Sequence, residues 1–338
     1  MIRAAQVLLC ALALLLAPDA RAQDAAAFYR GKTVRLMVGA TPGGGFSGYA
    51  TAIAPSLGRA LGTTVVVEHL PGAGGLNALN RLYAAGPDGL AILIANGTLA
   101  ALSQLVDPAN ARFDFARLGL LGIISAPPWL WVTGASGPVA TPADALKADK
   151  IRWAAAGVLD GESTGAAFSC EGLRLPCQII PGYPGSTEVM LALAKGEMDA
   201  AYLSEITARP FAASGQIRIV ATMARQRARF FPEVPTIFEA LPLDAEQQRW
   251  IDLRADLAAL GRVVVVPPDL PADRLAYLRQ ALHTVLTDPK LVAELAGTPY
   301  YLDYRDAETA RRATSAVLGG ITAAERPRLA EIVLRKYR

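Results

Sequence analysis

An apolar run of strand length ends in a glycine-rich loop that opens onto a helical pattern, and this junction constrains the fold more than any other stretch. The run covers residues 34–39, and the loop continues as Thr41-Pro42-Gly43-Gly44-Gly45-Phe46-Ser47-Gly48. Glycine lets a ligand approach the backbone closely, and a helix that starts here directs unpaired N–H groups and its positive dipole end into the loop. The junction therefore predicts an anion-binding loop.

A dinucleotide site is an alternative for the same loop. Residues 43–48 satisfy the pattern G-x-G-x-x-G, and Glu68 ends the next apolar run, where a dinucleotide fold keeps its ribose-binding acid. Against this alternative, Thr41-Pro42 separates the strand from the glycines, where that fold needs a tight turn. A second glycine loop at residues 71–75 follows Glu68, and no Lys-Ser/Thr pair follows the first loop, which excludes a P-loop.

The two glycine loops, about thirty residues apart, are followed by further short motifs. In chain order these are Ala85-Gly86-Pro87-Asp88-Gly89, Gly182-Tyr183-Pro184-Gly185-Ser186-Thr187-Glu188, Lys195-Gly196-Glu197-Met198-Asp199, Phe231-Pro232-Glu233-Val234-Pro235-Thr236 and Val266-Pro267-Pro268-Asp269-Leu270-Pro271. In order and spacing, the set resembles the substrate-binding receptors of tripartite tricarboxylate transporters, also called Bug or TctC receptors. The likeness covers nearly the whole mature chain.

Residues 1–22 have the pattern of an export signal. An arginine near the start is followed by an apolar core at residues 7–17, which is too short to anchor in a bilayer, and by the small-x-small cleavage site Ala20-Arg21-Ala22. The mature protein is therefore expected to begin at Gln23 in the periplasm. Cys10 lacks the small residues that a lipoprotein cleavage site needs before it, which disfavours lipidation.

The charge balance excludes some classes of partner. The net charge of +3 falls to +2 when the signal is removed, and the chain has no basic cluster with interleaved aromatic residues. It thus has no electrostatic footprint for nucleic acid or for a membrane surface. No later apolar run approaches 18 residues, so the mature protein is expected to be soluble.

Short apolar runs alternate with helical patterns, which is typical of α/β folds. In the first half, the runs at residues 34–39, 65–68 and 91–95 predict a parallel sheet covered by helices, with ligands at the carboxyl ends of its strands. Pro127-Pro128 cannot lie in a central strand and marks a crossing to a second series. That series has predicted strands at residues 151–155, 177–181, 198–203 and 217–223.

The chain after residue 223 is predicted to return to the first domain, because one more buried strand pattern spans residues 261–266. We therefore expect two α/β lobes with a ligand cleft between them. Lobe 1 takes residues 23–128 and 224–338, and lobe 2 takes residues 129–223. The resemblance likewise implies this type II periplasmic binding-protein, or Venus flytrap, architecture. Pro55, inside the first helical pattern, predicts a kink or a loosened turn.

The mature chain has two cysteines, Cys170 and Cys177, and an exported protein meets an oxidising compartment. The gap between them falls where the chain must reverse between a helical pattern and an apolar run, which favours a disulfide. Two buried free thiols are the alternative. A metal site is disfavoured, because a cysteine pair with no histidine nearby lacks ligands.

Catalytic patterns are missing from the sequence. It has no G-x-S-x-G motif, no histidine pair and no acid cluster at metal spacing. His69 borders the second glycine loop, and His283 lies on a predicted helix and is assigned to packing or to the surface. We therefore predict no enzyme activity, no metal and no cofactor.

The resemblance implies which residues bind a ligand. In the family, backbone groups and waters at the two glycine loops hold the ligand carboxylate, and the second lobe adds hydroxyl and amide groups. Carried onto this sequence, the set is Gly44, Gly45, Phe46, Ser47, Gly72, Ala73, Gly74, Gly75, Ser163, Thr164, Ser186, Ser204 and Glu205. For Ser163 and Thr164, a helix N-cap is the alternative role.

The resemblance also implies the function. It is an extracytoplasmic receptor that captures a small carboxylate-bearing organic anion and delivers it, as a monomer, to integral membrane transporter subunits. A dinucleotide-dependent oxidoreductase and a periplasmic sensor for a signalling partner remain as alternatives. Many relatives have Asp in place of Ser47 and Asn in place of His69, and the place of Glu205 in the family pattern is not evident, so the ligand stays open.

Export followed by cleavage after Ala22 is the first testable prediction. The intact mass of the secreted protein should match a chain that begins at Gln23, because the small-x-small site directs the cut there. A secreted form that retains residue 1, or that carries lipid on Cys10, would contradict it.

Overall fold

The computed structural model describes residues 25–298 and 300–338. The predicted export signal and its Cys10 lie outside these residues. The described strands are β1 (Thr33–Val38), β2 (Thr64–His69), β3 (Ala91–Asn96), β4 (Gly119–Ile123), β5 (Trp129–Gly134), β6 (Ile151–Ala154), β7 (Cys177–Ile180), β8 (Ala200–Ser204), β9 (Ile217–Thr222), β10 (Arg262–Val266) and β11 (Arg305–Asp306).

The described α-helices are α1 (Gly45–Leu61), α2 (Leu76–Tyr83), α3 (Gly97–Val106), α4 (Pro142–Ala145), α5 (Gly161–Leu173), α6 (Ser186–Ala194), α7 (Glu205–Ala213), α8 (Ile237–Ala240), α9 (Ala245–Ala259), α10 (Ala272–Leu286), α11 (Pro289–Ala296), α12 (Ala307–Gly320) and α13 (Arg326–Glu331). Residues 25–29 are also helical. Short 3-10 turns lie at Ala73–Gly75 and Phe115–Arg117, and a π turn covers Ile332–Lys336. No described helix is long and apolar enough to cross a membrane.

The strands form two sheets, one in each lobe. The first has six strands in the order β11-β4-β10-β3-β1-β2, and the second has five in the order β7-β6-β8-β5-β9. In the first sheet β1 pairs in parallel with β2 and β3, as predicted, whereas β10 runs antiparallel to β3 and β4. The sheet is therefore mixed, because the returning chain enters β10 from the carboxyl edge of the parallel strands.

The buried strand β10 shows why the sequence pattern there is continuous rather than alternating. Val263 and Val265 pack into the hydrophobic cluster on one face of the sheet, and Val264 and Val266 pack into the cluster on the other face. Helices cover both faces, so every side chain of the strand is buried. The prediction of a buried strand at the chain return is confirmed.

The helix α1 contains Pro55 and continues through it from Gly45 to Leu61. The backbone therefore stays helical on both sides of the proline, and the kink or loosened turn stays a prediction. Proline is tolerated at residue 55 because the helix loses only one N–H donor there. Its inner face still packs on the core through Ile53 and Leu57, both at most 2% exposed.

The return segment contacts both lobes. Helix α9, which the sequence analysis did not assign, packs along α5 of lobe 2 and also touches α3 of lobe 1. Near the chain end, the Tyr337 carbonyl accepts a hydrogen bond from the Ile179 N–H at 2.6 Å. The division into residues 23–128, 129–223 and 224–338 stays a prediction, and these contacts cross it.

The predicted disulfide is confirmed: Cys170 in α5 is bonded to Cys177, the first residue of β7. Arg174 lies between the two cysteines in a left-handed conformation that ends the helix. The bond thus closes the helix-to-strand reversal that the spacing indicated.

Removing this bond tests its contribution to stability. The double variant Cys170→Ala/Cys177→Ala is expected to lose about 2 to 3 kcal/mol of unfolding free energy, because the bond restricts a short loop of the unfolded chain. Urea unfolding of the oxidised protein, its reduced form and the variant measures this. Identical unfolding of the oxidised and reduced proteins would contradict it.

Candidate functional site

The first glycine loop joins β1 to α1 and leaves the start of that helix open. Gly44 precedes the helix and forms no side-chain cap, and the first turn contains no acidic residue. Gly43 has a φ of +95°, which turns the chain into the helix. The first turn therefore presents N–H donors and a positive dipole end, and neither a capping side chain nor an acidic side chain of that turn engages them.

The second loop is a run of residues with positive φ. Gly72, Ala73, Gly74 and Gly75 have φ values of +132°, +47°, +66° and +107°. Gly75 precedes α2, again without a side-chain cap. A Cβ atom on Gly39 would lie 2.6 Å from the Cα atom of Gly75, so the two segments approach this closely only because Gly39 lacks a side chain.

A hydrogen bond joins the same two loops. Ser47 Oγ lies 2.8 Å from His69 Nε2, and the Ser47 residue is 5% exposed. The pairing of Val38 with His69 in neighbouring parallel strands brings the two loops side by side. The sequence analysis noted both side chains separately, and only the register of the sheet brings them together.

Two cavities lie beside the second loop. A small one opens between the loops, with Ala40, Phe46, Gly75 and Asn96 in its walls. A larger one, of about 700 Å³, lies between Gly74 and the loop at residues 156–160 of lobe 2. A Cβ atom on Gly74 would lie 3.8 Å from the Cβ atom of Asp160. The second loop thus faces the start of α5 across the boundary between the lobes.

The start of α5 differs from the predicted N-cap. Asp160 caps the helix, with its Oδ1 atom accepting from the Ser163 N–H at 2.7 Å, so the N-cap alternative for Ser163 and Thr164 is wrong. Thr164 Oγ1 donates to the Asp160 carbonyl at 2.6 Å. Ser163 Oγ is buried and has no hydrogen-bond partner among the described residues. Asp160 fits this position because a short carboxylate reaches the N–H three residues on.

Ser186 contacts a buried carboxyl group that the sequence analysis missed. Its hydroxyl donates to Glu162 Oε1, and the Ala156 N–H donates to Glu162 Oε2 at 3.0 Å. Burial, and then the charge of Asp160, raise the pKa of Glu162 to about 8. Burial also raises the pKa of Asp160. The lobe 2 side of the boundary therefore contains the buried carboxyl group of Glu162 beside the partly buried one of Asp160.

Ser204 and Glu205 lie where β8 passes into α7. Ser204 caps the helix by accepting from the Thr207 N–H. Glu205 is fully buried, and its carboxylate accepts from the Phe230 N–H at 3.0 Å and from the Tyr301 hydroxyl at 2.8 Å. Burial raises the pKa of Glu205. Because Tyr301 belongs to the chain leading into the first sheet, this bond connects the lobes.

Two buried arginines also escaped the sequence analysis, which looked for histidines, cysteines and acids. Arg254 of α9 donates to the Gly161 carbonyl at 3.1 Å and stacks on Trp129 and Tyr202. Arg262 begins β10 and lies beside the first glycine loop. Among the described residues, no group of three or more His, Cys, Asp or Glu side chains could hold a metal ion.

Comparison with known proteins places this geometry in a family. Residues 50–311 match the family described as the tripartite tricarboxylate transporter family receptor, TctC. The chain belongs to this family. It is 27% identical over 322 residues to a UPF0065 protein of Agrobacterium vitis from the TAR-I ttuE-ttuC' intergenic region, covering 93% of this chain and 86% of that protein. The resemblance stated from the sequence is confirmed.

Solved structures share the fold. The periplasmic binding protein BugD has a TM-score of 0.71 at 20% identity, with 90% of this chain and 97% of that chain covered. Rpa4515 of R. palustris with adipate has a TM-score of 0.72 at 19% identity, with 90% and 98% covered. MatC of Rhodopseudomonas palustris with bound malate has a TM-score of 0.69 at 20% identity, with 89% and 98% covered. The chain therefore has the two-lobe fold that the sequence predicted.

The buried carboxyl group of Glu162 predicts a pH dependence of stability. The folded receptor holds this group protonated to a higher pH than the unfolded chain does, with pKa values of about 8 and 4.5. The wild type should therefore lose stability relative to Glu162→Gln as the pH rises between these values, by at most about 5 kcal/mol. An amide at this position can still accept from Ala156 and donate to Ser186.

Urea unfolding at several pH values measures the difference, with Glu239→Gln as the control. The hydrogen bond from the Thr236 N–H and the contact with Arg227 lower the pKa of Glu239, so that group is ionised in both states above pH 6. The difference in unfolding free energy between Glu239→Gln and the wild type should therefore not change between about pH 6 and 8. A Glu162→Gln effect that is equally flat would refute a protonated Glu162.

Proposed function

We propose that this chain is an extracytoplasmic receptor that captures a small carboxylate-bearing organic anion between its lobes and delivers it to the integral membrane subunits of a tripartite tricarboxylate-type transporter. One observation carries the proposal. Two uncapped helix starts, α1 and α2, are joined by touching glycine loops at the carboxyl edge of one sheet and face lobe 2.

Physical chemistry supports an anion at this position. A negative charge at an exposed helix start gains about 0.3 to 1 kcal/mol, and more when it is enclosed. Hydrogen bonds to a charged group add about 1.5 to 3 kcal/mol each. Micromolar affinity corresponds to about 8 kcal/mol, so a few such bonds suffice. The proposal assigns them to the backbone of residues 44–47 and 72–75.

On the lobe 2 side, the hydroxyl groups are not equally available. Ser163 Oγ has no partner among the described residues, whereas the hydroxyls of Ser186 and Thr164 already donate to Glu162 and to the Asp160 carbonyl. Ser204 caps α7. Ser163 is therefore the second-lobe residue whose hydroxyl is not engaged within the protein, and because it is fully buried we propose that it reaches a ligand only when the lobes open. Glu205 instead connects the two lobes through its hydrogen bond with Tyr301.

The structural neighbours support the class of ligand. MatC binds malate and Rpa4515 carries adipate, and both molecules are small dicarboxylates. The dinucleotide alternative is weakened by Glu68, the residue it needs for a ribose. This carboxylate lies 3.2 Å from Arg81 and 3.5 Å from Arg35, so it is paired within the protein.

The ligand itself can be identified and its carboxylate tested. Mass spectrometry of small molecules retained by protein purified from the periplasm should yield an organic acid. In calorimetry, the methyl ester or amide of that acid should bind at least about tenfold more weakly, because it loses a charged hydrogen-bond acceptor. An ester that binds as well as the acid would refute the proposal, and micromolar NADH binding would favour the oxidoreductase.

A matched pair of variants locates the site. Gly45→Val should weaken binding of the retained acid, because a side chain there would fill the first loop, where even a Cβ atom lies 3.1 Å from Arg262 Nη2. Lys290→Ala, on the exposed surface at the start of α11, should leave binding unchanged. Equal affinities for the two variants would place the ligand elsewhere.

A further inference from the structure

A buried arginine lies directly beside the first glycine loop. Arg262 is the first residue of β10 and pairs with Asn96 at the carboxyl end of β3, so it lies at the same sheet edge as the two loops. It is 7% exposed. Its guanidinium group stacks over the rings of Phe46 and Tyr49, at 5.1 and 4.9 Å from their centroids.

The guanidinium group of Arg262 lacks an anionic partner among the described residues. Its Nη1 atom lies 3.4 Å from Ser125 Oγ, and its Nε atom has no hydrogen-bond partner. Burial lowers the pKa of Arg262, and the neighbours that oppose this shift are tyrosines. Arginine nevertheless remains protonated in proteins. A full positive charge is therefore buried without the carboxylate that normally accompanies it.

The start of α1 adds a second positive pole at the same place. Arg262 Nη2 lies 3.1 Å from the position that a Cβ atom would take on Gly45, the first residue of that helix. The uncapped N–H groups and the guanidinium group thus converge, and both favour a negative charge. One anion between them would satisfy both.

We propose that Arg262 binds the ligand carboxylate directly, as its counter-ion, together with the N–H groups at the start of α1. This inference rests on the proposed function. It departs from the expectation of backbone groups and waters alone, since the guanidinium group offers a charged donor pair that matches the two carboxylate oxygens. The site should therefore discriminate strongly between an acid and its neutral amide.

The other buried arginine provides a comparison. Arg254 also stacks on two aromatic rings, but it donates to the Gly161 carbonyl and lies in the field of the Asp160 carboxyl group. Its Nε and Nη1 atoms also lack hydrogen-bond partners among the described residues, but the carboxyl group of Asp160 gives it an acidic neighbour that Arg262 does not have. If Arg262 were structural in the same way, an added carboxylate would not affect it.

Acetate is the probe, because it is the smallest carboxylate and needs no knowledge of the ligand. The full mature protein, labelled with ¹⁵N-arginine, is titrated with sodium acetate to about 100 mM at constant ionic strength. The Nε–H resonance of Arg262, assigned by its loss in Arg262→Lys, should shift and saturate, while that of Arg254 stays in place. No saturable shift, or the same shift with acetamide, would overturn the proposal.

Variants give a second, independent measurement. Acetate should raise the melting temperature of the wild type and of the control Arg279→Met, whose arginine donates to the Leu120 carbonyl at 2.9 Å. Arg262→Met should abolish that rise. Arg262→Lys, which keeps the charge but not the paired donors, should weaken acetate binding at least about threefold. This variant provides the test if Arg262→Met does not fold. An unchanged acetate effect in both would overturn the proposal.

The two proposals can fail separately. The purified protein could retain an organic acid while acetate leaves the Arg262 resonance unshifted. That result would support the receptor function and rule out the role of Arg262. Conversely, micromolar NADH binding combined with the saturable Arg262 shift would keep the carboxylate site and remove the receptor function.

Discussion

The contact between Gly39 and Gly75 is the constraint on which the candidate site depends. A single Cβ atom on Gly39 would fall 2.6 Å from the Cα atom of Gly75 and would force the loops apart. With the loops in contact, the starts of α1 and α2 point to one region at the carboxyl edge of the sheet. The hydrogen bond between Ser47 and His69 joins the loops a second time. The close approach of two backbones thus aligns two sets of N–H donors.

The returning strand β10 connects this site to the crossing between the lobes. A Cβ atom on Gly261 would lie 2.3 Å from the Ser125 carbonyl oxygen, so the two crossing segments pass in direct contact. The next residue, Arg262, is thereby held beneath the first loop. On the other side of the boundary, Glu205 accepts from Tyr301, and α9 packs on both lobes. The lobes are therefore joined by a polar bond and a shared helix as well as by the chain crossings.

Charge is distributed unequally between the two lobes at their boundary. Lobe 1 presents helix starts and the buried guanidinium group of Arg262, which are all positive. Lobe 2 contains the carboxyl groups of Asp160, Glu162 and Glu205, and their loss of solvent contact raises the pKa of each. For Glu162, whose pKa rises to about 8, protonation reduces the cost of burial. A ligand carboxylate would thus be attracted by the positive groups on the lobe 1 side of the boundary.

The sequence by itself determined the α/β class and the positions of both glycine loops, and it indicated the family and the disulfide. These depend on local patterns: periodicity, turn-forming residues and a short cysteine spacing. It did not determine the antiparallel entry of β10, the helix α9 that contacts both lobes, or the pairing of Ser47 with His69. It also missed that Arg254 lies near the carboxyl group of Asp160, whereas Arg262 has no acidic neighbour among the described residues. Only the tertiary structure decided these, since each depends on which distant segments the sheet register brings within a few ångströms of one another.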